Sequence, residues 1–383
     1  VEVTDIGEFN DSGMLAAYYG GKRIGALDMA FLHDGVPRMC LPAKLDSVAL
    51  QPAKLETKTD LTGDLKAVLG ALNVASKESF VRMYDHEVQG ASVMKPFQGL
   101  LAEGPGNAAV VRPDPKSMKG IAVACGITPK YSDLDAYHMM ACAIDEAVRN
   151  LVATGARMGT IAGLDNFCWP DPVQSEKTPD GPHKMAQLVR CCEAPQETCV
   201  AYEIPLLSGK DSMKNDYKIG DTKISIPPTV RFTAAAILDD ATKVASMDVK
   251  RPGDVVYVLG ETKDELGGSE YLALSGQLGD TVPVVDTARA RARYEALHEA
   301  IAGGLEASCH DMVALFSESQ SRLVATVSPE HAGAFEDRMN PTGCYRLGEV
   351  TEESRFVVRG ATGTVVDAPI ADLKEAWQAP LRY

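Results

Sequence analysis

IGEFNDSGMLAAYYGGKRIGALDMAFL, residues 6–32, lies without gaps on LGEVTEESRFVVRGATGTVVDAPIADL, residues 347–373. Gly7 falls on Gly348, Glu8 on Glu349, Ile24 on Val365 and Leu32 on Leu373. Each copy reads as a short hairpin: an apolar run, a polar turn with Asp/Glu and Gly or Ser, then an alternating run. A solenoid would repeat every few dozen residues, whereas these copies are separated by most of the chain. The pattern predicts a large duplicated protein of which this is the second half, preceded by the tail of the first. A start at Val1 rather than Met fits a truncated chain. Half of an active site is the corresponding expectation.

The 383 residues, 45% of them hydrophobic, can bury a large core, and two domains are the expectation for that length. No run is apolar for the roughly 18 residues of a membrane span, and no signal peptide opens the chain. Nine cysteines without a Cys-x-x-Cys pair read as reduced thiols of a cytosolic protein, not as a disulfide frame or a zinc site. The formal charge of −15 argues against a nucleic-acid binder, which needs clustered Lys and Arg. A polyphosphate remains possible if Mg²⁺ bridges the like charges.

Outward from the repeat, residues 1–45 form the tail, 46–245 a first domain and 246–383 a second, divided at the turn chemistry of Lys250-Arg251-Pro252-Gly253-Asp254. The strongest helical signal runs from Asp133 to Ala153, with Ser132-Asp133 as cap and Gly155 as stop. Strands are expected at Gly120–Ala124, Gly159–Leu164, Ile204–Leu207, Thr229–Leu238, Val255–Leu259, Ser321–Val327 and Arg355–Arg359. Helices are expected at Thr287–Gly303 and Pro329–Arg338. Such mixed order indicates an α+β or α/β class.

On the long helix Asp135, Met139, Cys142, Glu146 and Asn150 share a face. Glu146 and Asn150, stacked one turn apart, offer oxygens that suit Mg²⁺; a solvated helix edge is the plain alternative. Ser208-Gly209-Lys210-Asp211-Ser212-Met213 follows a strand, so its Gly and Lys could face a phosphate. It lacks the Walker A spacing, and an ordinary turn is the competing reading. Asp165-Asn166 sits at another strand end, where acidic residues often face ligands. Tyr84-Asp85-His86 offers an acid–base pair or a structural histidine. Cys309-His310-Asp311 is a poor catalytic trio, because neighbours on a strand point to opposite faces; Asp311 alone is the better metal ligand. Leu266-Gly267-Gly268-Ser269-Glu270-Tyr271 reads as a turn capping a helix.

Tyr84–Gly90, Asp165-Asn166, Ser208–Met213, Leu266–Tyr271 and Cys309–Asp311 occur in the order seen in phosphoribosylformylglycinamidine synthase. The chain resembles the second half of that family's synthetase component over nearly its whole length. The resemblance implies an aminoimidazole ribonucleotide synthetase-like fold: an N-terminal sheet domain that pairs into a barrel across two halves, plus a C-terminal α/β domain. It also implies ATP-dependent amidine formation from formylglycinamide ribonucleotide, with ammonia from a glutaminase elsewhere, in cytoplasmic purine biosynthesis. Asp165, Gly209, Lys210 and Ser212 match positions touching ATP, metal and substrate. Asn107, Glu146, Asn150 and Asp311 match metal positions of an auxiliary ADP–Mg²⁺ site, with Asn107 where the family usually has Asp. His86 takes the place of a relic or mate of the first half's catalytic histidines.

The implied partner is the first half, or a second copy of the fragment. The alternative function is a non-catalytic half holding ADP–Mg²⁺. A selenophosphate or thiamine-phosphate kinase type would lack the flanking half that the repeat implies. After Asp311 the family continues into Ser-Asp/Glu-Gly-Gly-Leu and a helix, whereas here Met312-Val313-Ala314 follows directly. Deleting a packed helix would expose core on its neighbours, so a stretch missing from the sequence is the expectation.

Overall fold

Both copies of the repeat fold alike in the computed structural model, down to a shared irregularity. Residues 2–46, 49–56, 58–303, 307–310, 316–360 and 363–383 are described, by backbone alone at 88 and 307–310. The chain divides into two compact units, Val1–Pro42 and Ala43–Tyr383.

The first unit holds β1 (Met14–Tyr19), β2 (Lys22–Asp28) and α1 (Met29–Asp34). Gly20 and Gly21 both take positive φ, which matches the right-handed twist of a two-residue hairpin. Pairing runs from Met14↔Asp28 to Tyr19↔Lys22, with a bulge between Ala17 and Tyr18. The Asp28 carboxylate then caps α1, accepting from the Phe31 amide at 3.0 Å.

The second unit opens with α2 (Thr62–Leu69), α3 (Glu78–Val81), β3 (Ser92–Met94), β4 (Ala109–Val111) and β5 (Gly120–Ile127). There follow α4 (Ala136–Thr154), β6 (Ile161–Cys168), α5 (Gly181–Tyr202), β7 (Leu206–Ser212), the hairpin β8 (Asp216–Ile219) and β9 (Thr222–Ser225), and β10 (Thr229–Leu238). Beyond the expected turn come β11 (Val255–Leu259), α6 (Glu270–Ala273), α7 (Thr287–Ala302), β12 (Ala307–His310), β13 (Leu323–Val327), α8 (Pro329–Met339) and β14 (Cys344–Glu349). The chain ends with β15 (Arg355–Gly360), β16 (Gly363–Pro369) and α9 (Ile370–Gln378). β15 and β16 pair from Arg355↔Pro369 to Gly360↔Gly363 and bulge between Val358 and Arg359. Every pair and the bulge stand where the alignment with β1 and β2 puts them.

The main sheet has the order β3-β4-β5-β10-β6-β7, a second the order β12-β13-β11-β14. Strict alternation along β5 and β10 gives the main sheet two unlike faces. Ala122, Ala124, Phe232, Ala234 and Ala236 are buried on the side of α4 and α5, whereas Ile121, Val123, Ile127 and Ile237 of the other face are exposed. Small residues let α4 lie close: a Cβ on Gly126 would stand 2.1 Å from the Ala143 carbonyl oxygen. This helix starts later than its sequence predicts. Pro129–Asp133 form a 3₁₀ turn, in which the Ser132 hydroxyl donates to the Pro129 carbonyl at 2.8 Å. The N-cap role passes to Asp135, which accepts from Tyr137 N at 2.8 Å, while Gly155 ends the helix as expected at φ +115°. The continuous core runs from the main sheet through α4 and α7 to Tyr257, Leu323 and Phe335 of the second sheet and α8.

Candidate functional site

β6 and β7 run parallel and bring together candidates far apart in sequence. Their register sets Asp165 beside Gly209, Asn166 beside Lys210, Phe167 beside Asp211 and Cys168 beside Ser212. Ser208–Ser212 is therefore neither a phosphate loop nor a simple turn but part of an edge strand. Asp165 likewise lies inside β6, because the parallel ladder extends both strands beyond their apolar runs.

The Asp165 carboxylate reaches across to β7. A Cβ on Gly209 would stand 2.5 Å from Asp165 Oδ1, so a larger residue there would push the carboxylate aside. Burial raises the Asp165 carboxyl above its ordinary range, and the charge of nearby Asp211 raises it further. The same environment holds the α5 cysteines as thiols: burial first, then the Asp165 charge, pushes Cys199 up to about 12. Alternation puts Lys210 and Ser212 on one face of β7, where the ammonium contacts the hydroxyl. The carbonyl of Ser212 accepts from Trp169 N at 2.8 Å and from Asn215 Nδ2 at 2.7 Å, which anchors the strand end. Asn166 Oδ1 is buried without a hydrogen-bond partner among the described residues. Such an orphan acceptor is costly unless something completes it. Among the described residues β7 has one strand neighbour, β6, and Leu206 to Asp211 are exposed.

The metal candidates are arranged differently. Glu146 Oε2 accepts from the Ile127 amide at 2.8 Å, and Asn150 Nδ2 donates to the Cys125 carbonyl at 3.5 Å. Both side chains thus tie α4 to the end of β5, and both are half-buried, so a solvated edge is not what this face is. Asn107 lies just before β4, half-buried. Asp311 is outside the described residues, as is the junction expected to lack a stretch; of Cys309 and His310 only the backbone is described. Among the described residues no three His, Cys, Asp or Glu side chains converge on a metal position.

Among the described residues His86 shows no acid–base pairing. Its Nε2 hydrogen-bonds the Val81 carbonyl at 2.9 Å, while Asp85 accepts from the Glu87 amide at 2.7 Å. Leu266–Tyr271 caps a helix as expected: Ser269 Oγ accepts from Leu272 N at 3.2 Å at the start of α6. One functional-looking carboxyl escaped the sequence reading. Glu318 accepts from Tyr131 Oη at 2.5 Å and from the Glu270 amide at 2.9 Å. Only its neighbourhood in space, not its sequence context, marks it. Burial raises its carboxyl above the usual 4.5, against the opposing effect of the Tyr131 hydrogen bond. A raised native value favours the protonated form. The stability linked to it is full below the unfolded value and lost as pH rises through the native one. Glu318→Gln is expected to flatten that loss, so that the melting temperature of the variant falls less than wild type between about pH 4 and pH 8; parallel curves would count against it.

Residues 105–235 match the family described as AIR synthase related protein, N-terminal domain. Over 98% of its length the chain is 29% identical to the phosphoribosylformylglycinamidine synthase subunit PurL of Alkaliphilus metalliredigens, covering 53% of that protein. It is 26% identical over 99% of its length to the PurL subunit of Thermoplasma acidophilum, covering 52% of it. The chain spans about half the length of the curated relatives it matches. A solved structure described as T. maritima PurL complexed with FGAR superimposes with a TM-score of 0.58 at 19% identity, over 82% of this chain and 53% of that one. The mixed α/β fold with its central sheet is thus similar to that of this PurL structure, and among the described residues the sheet is open. No helix among the described residues is long and apolar enough to cross a membrane.

Proposed function

We propose that this chain, a relative of the PurL subunits along nearly all its length, is the second half of a phosphoribosylformylglycinamidine synthase synthetase. It supplies one wall of a cleft in which ATP phosphorylates the amide oxygen of formylglycinamide ribonucleotide. Ammonia then attacks the amide carbon and phosphate leaves, giving the amidine with ADP as coproduct. The observation that supports this reading is the gathering of Asp165, Gly209, Lys210 and Ser212 on an outermost strand pair whose far side is open. Lys210 offers positive charge and Ser212 a hydroxyl donor to phosphoryl oxygens, and the unpartnered Asn166 Oδ1 offers an acceptor to an amine or ammonia. Mg²⁺, when bound, neutralises charge at the transferring phosphoryl group. Among the described residues no three His, Cys, Asp or Glu side chains form a cage for it.

On this reading residues 1–45 are the tail of the first half, 46–245 the nucleotide-binding domain and 246–383 the α/β domain, in a cytoplasmic enzyme. The first half closes the cleft against the exposed apolar face of Ile121, Val123, Ile127 and Ile237, and a glutaminase delivers ammonia. The chain by itself is then inactive. Amidine formation is the test: it should be absent for this chain alone and appear when the complementary half is added. The second reading, a structural half holding ADP–Mg²⁺ near Glu146 and Asn150, rests on their half-buried oxygens at the end of β5. Stoichiometric ADP released on denaturing the chain, with no gain of activity from Lys210 or Asp165 in the joined enzyme, would favour it.

A further inference from the structure

The two hairpin–helix copies differ in what covers them. In the C-terminal copy, α2 lies along β16 and α9. The Leu61 amide donates to the Val365 carbonyl at 2.7 Å, and the Asp367 amide donates to Thr62 Oγ1 at 3.2 Å. Lys66 pairs with Asp372 at 2.9 Å. Val366 and Ala368 are sealed and Leu373 is half-buried. The equivalent positions of the N-terminal copy are Ile24, Gly25, Ala26, Leu27, Phe31 and Leu32. Their chemistry stays apolar, yet Ile24 is 68%, Leu27 44%, Phe31 60% and Leu32 41% exposed. Among the described residues β2 has only β1 as strand neighbour, so the Ile24 carbonyl and Ala26 amide, counterparts of the two backbone groups that hold α2, lie on its outer edge.

We propose that the β2–α1 face is a docking surface for an amphipathic helix built like Leu61–Leu69, entered through a residue whose backbone amide bonds to the edge of β2. The occupant differs from α2 at one position. Where Lys66 meets Asp372, the N-terminal copy presents Phe31, so the docking helix carries an apolar residue there. α2 of a second copy is the wrong occupant twice over: its Lys66 would meet a ring, and its departure would bare α9. This inference concerns packing and does not depend on the chemistry assigned to Asp165 or Lys210.

The test makes the contact intramolecular, since tethering raises effective concentration to about millimolar. The segment 58–70 of this chain, carrying Lys66→Leu, is joined ahead of Val1 by a flexible Gly/Ser linker in the full chain. Amide hydrogen exchange is then read across residues 14–28. At least a tenfold slowing relative to the untethered chain is expected, lost on adding Leu32→Asp in α1 and smaller with the unsubstituted segment. Unchanged exchange would overturn the proposal. So would equal protection by the tethered segments with and without Lys66→Leu, which would remove the matched apolar contact. Concentration-dependent protection of the untethered chain, abolished by Leu32→Asp, would assign the face to a second copy and overturn the chosen occupant.

Discussion

Asp145→Ala is expected to lower the unfolding free energy by roughly 3–5 kcal/mol, the range for stripping one partner from a buried charge network. Asp145 has no solvent exposure. Its Oδ1 accepts from Tyr202 Oη at 2.6 Å, Tyr294 Oη at 2.7 Å and Ser321 Oγ at 3.0 Å. Its Oδ2 accepts from Ser321 N at 2.9 Å and Arg149 at 3.2 Å. One carboxylate thus joins α4, α5, α7 and the entry to β13. Burial, then the Asp145 charge, holds both tyrosines well above their ordinary pKa, so they remain donors at any physiological pH. Alanine would leave the hydroxyls, an amide and a guanidinium facing a void. Asparagine would not rescue the site, since its NH₂ would face donors wherever it points. Against a typical total of about 5–15 kcal/mol, the loss should be visible in urea unfolding. A loss below about 1 kcal/mol would mean that the network is dispensable.

Under the proposed function, Asp165→Ala in the chain joined to its complementary half is expected to cut kcat/KM by about 10²–10³-fold, the scale for removing one preorganised polar group from a reacting centre. Its thermal stability should stay level or rise. Burial and Asp211 both disfavour the ionised carboxylate, so its removal relieves the native state at neutral pH. Opposite movements of activity and stability separate a ligand-facing group from a structural one. Gly209→Ala should lose about 10²-fold, because displacing Asp165 by an ångström misplaces whatever it holds. Full activity in either variant would remove the β6/β7 pair from the reacting centre. Unfolding of Asp165→Ala would instead make the carboxylate a structural element.

Much of the fold was legible in particular residues. β10 and β11 have the expected bounds because each is an apolar run closed by turn chemistry. The hairpin copies were legible because gapless alignment preserves register, and register carries the bulge with it. The start of α4 was not legible: Ser132 and Asp135 are both good caps, and only the 3₁₀ turn at Pro129 decides between them. Ser208–Ser212 was misread because Gly and Asp weaken a strand locally, and the ladder with β6 that overrides this involves residues some forty positions away. Glu318 and the unpartnered Asn166 oxygen acquire meaning from burial, to which sequence pattern is blind.

The repeated hairpin–helix, the mixed α/β class, the resemblance to the synthetase family and the residue types that could handle a phosphoryl group were readable from the chain alone. Those are matters of order and period along the chain. Tertiary structure alone decided that Asp165 lies over Gly209, that Glu146 and Asn150 bond the end of β5, and that one hairpin–helix is covered while its twin is bare. The physical reason is that hydrogen bonds and burial depend on distances of a few ångströms between segments whose separation in sequence carries no information about them.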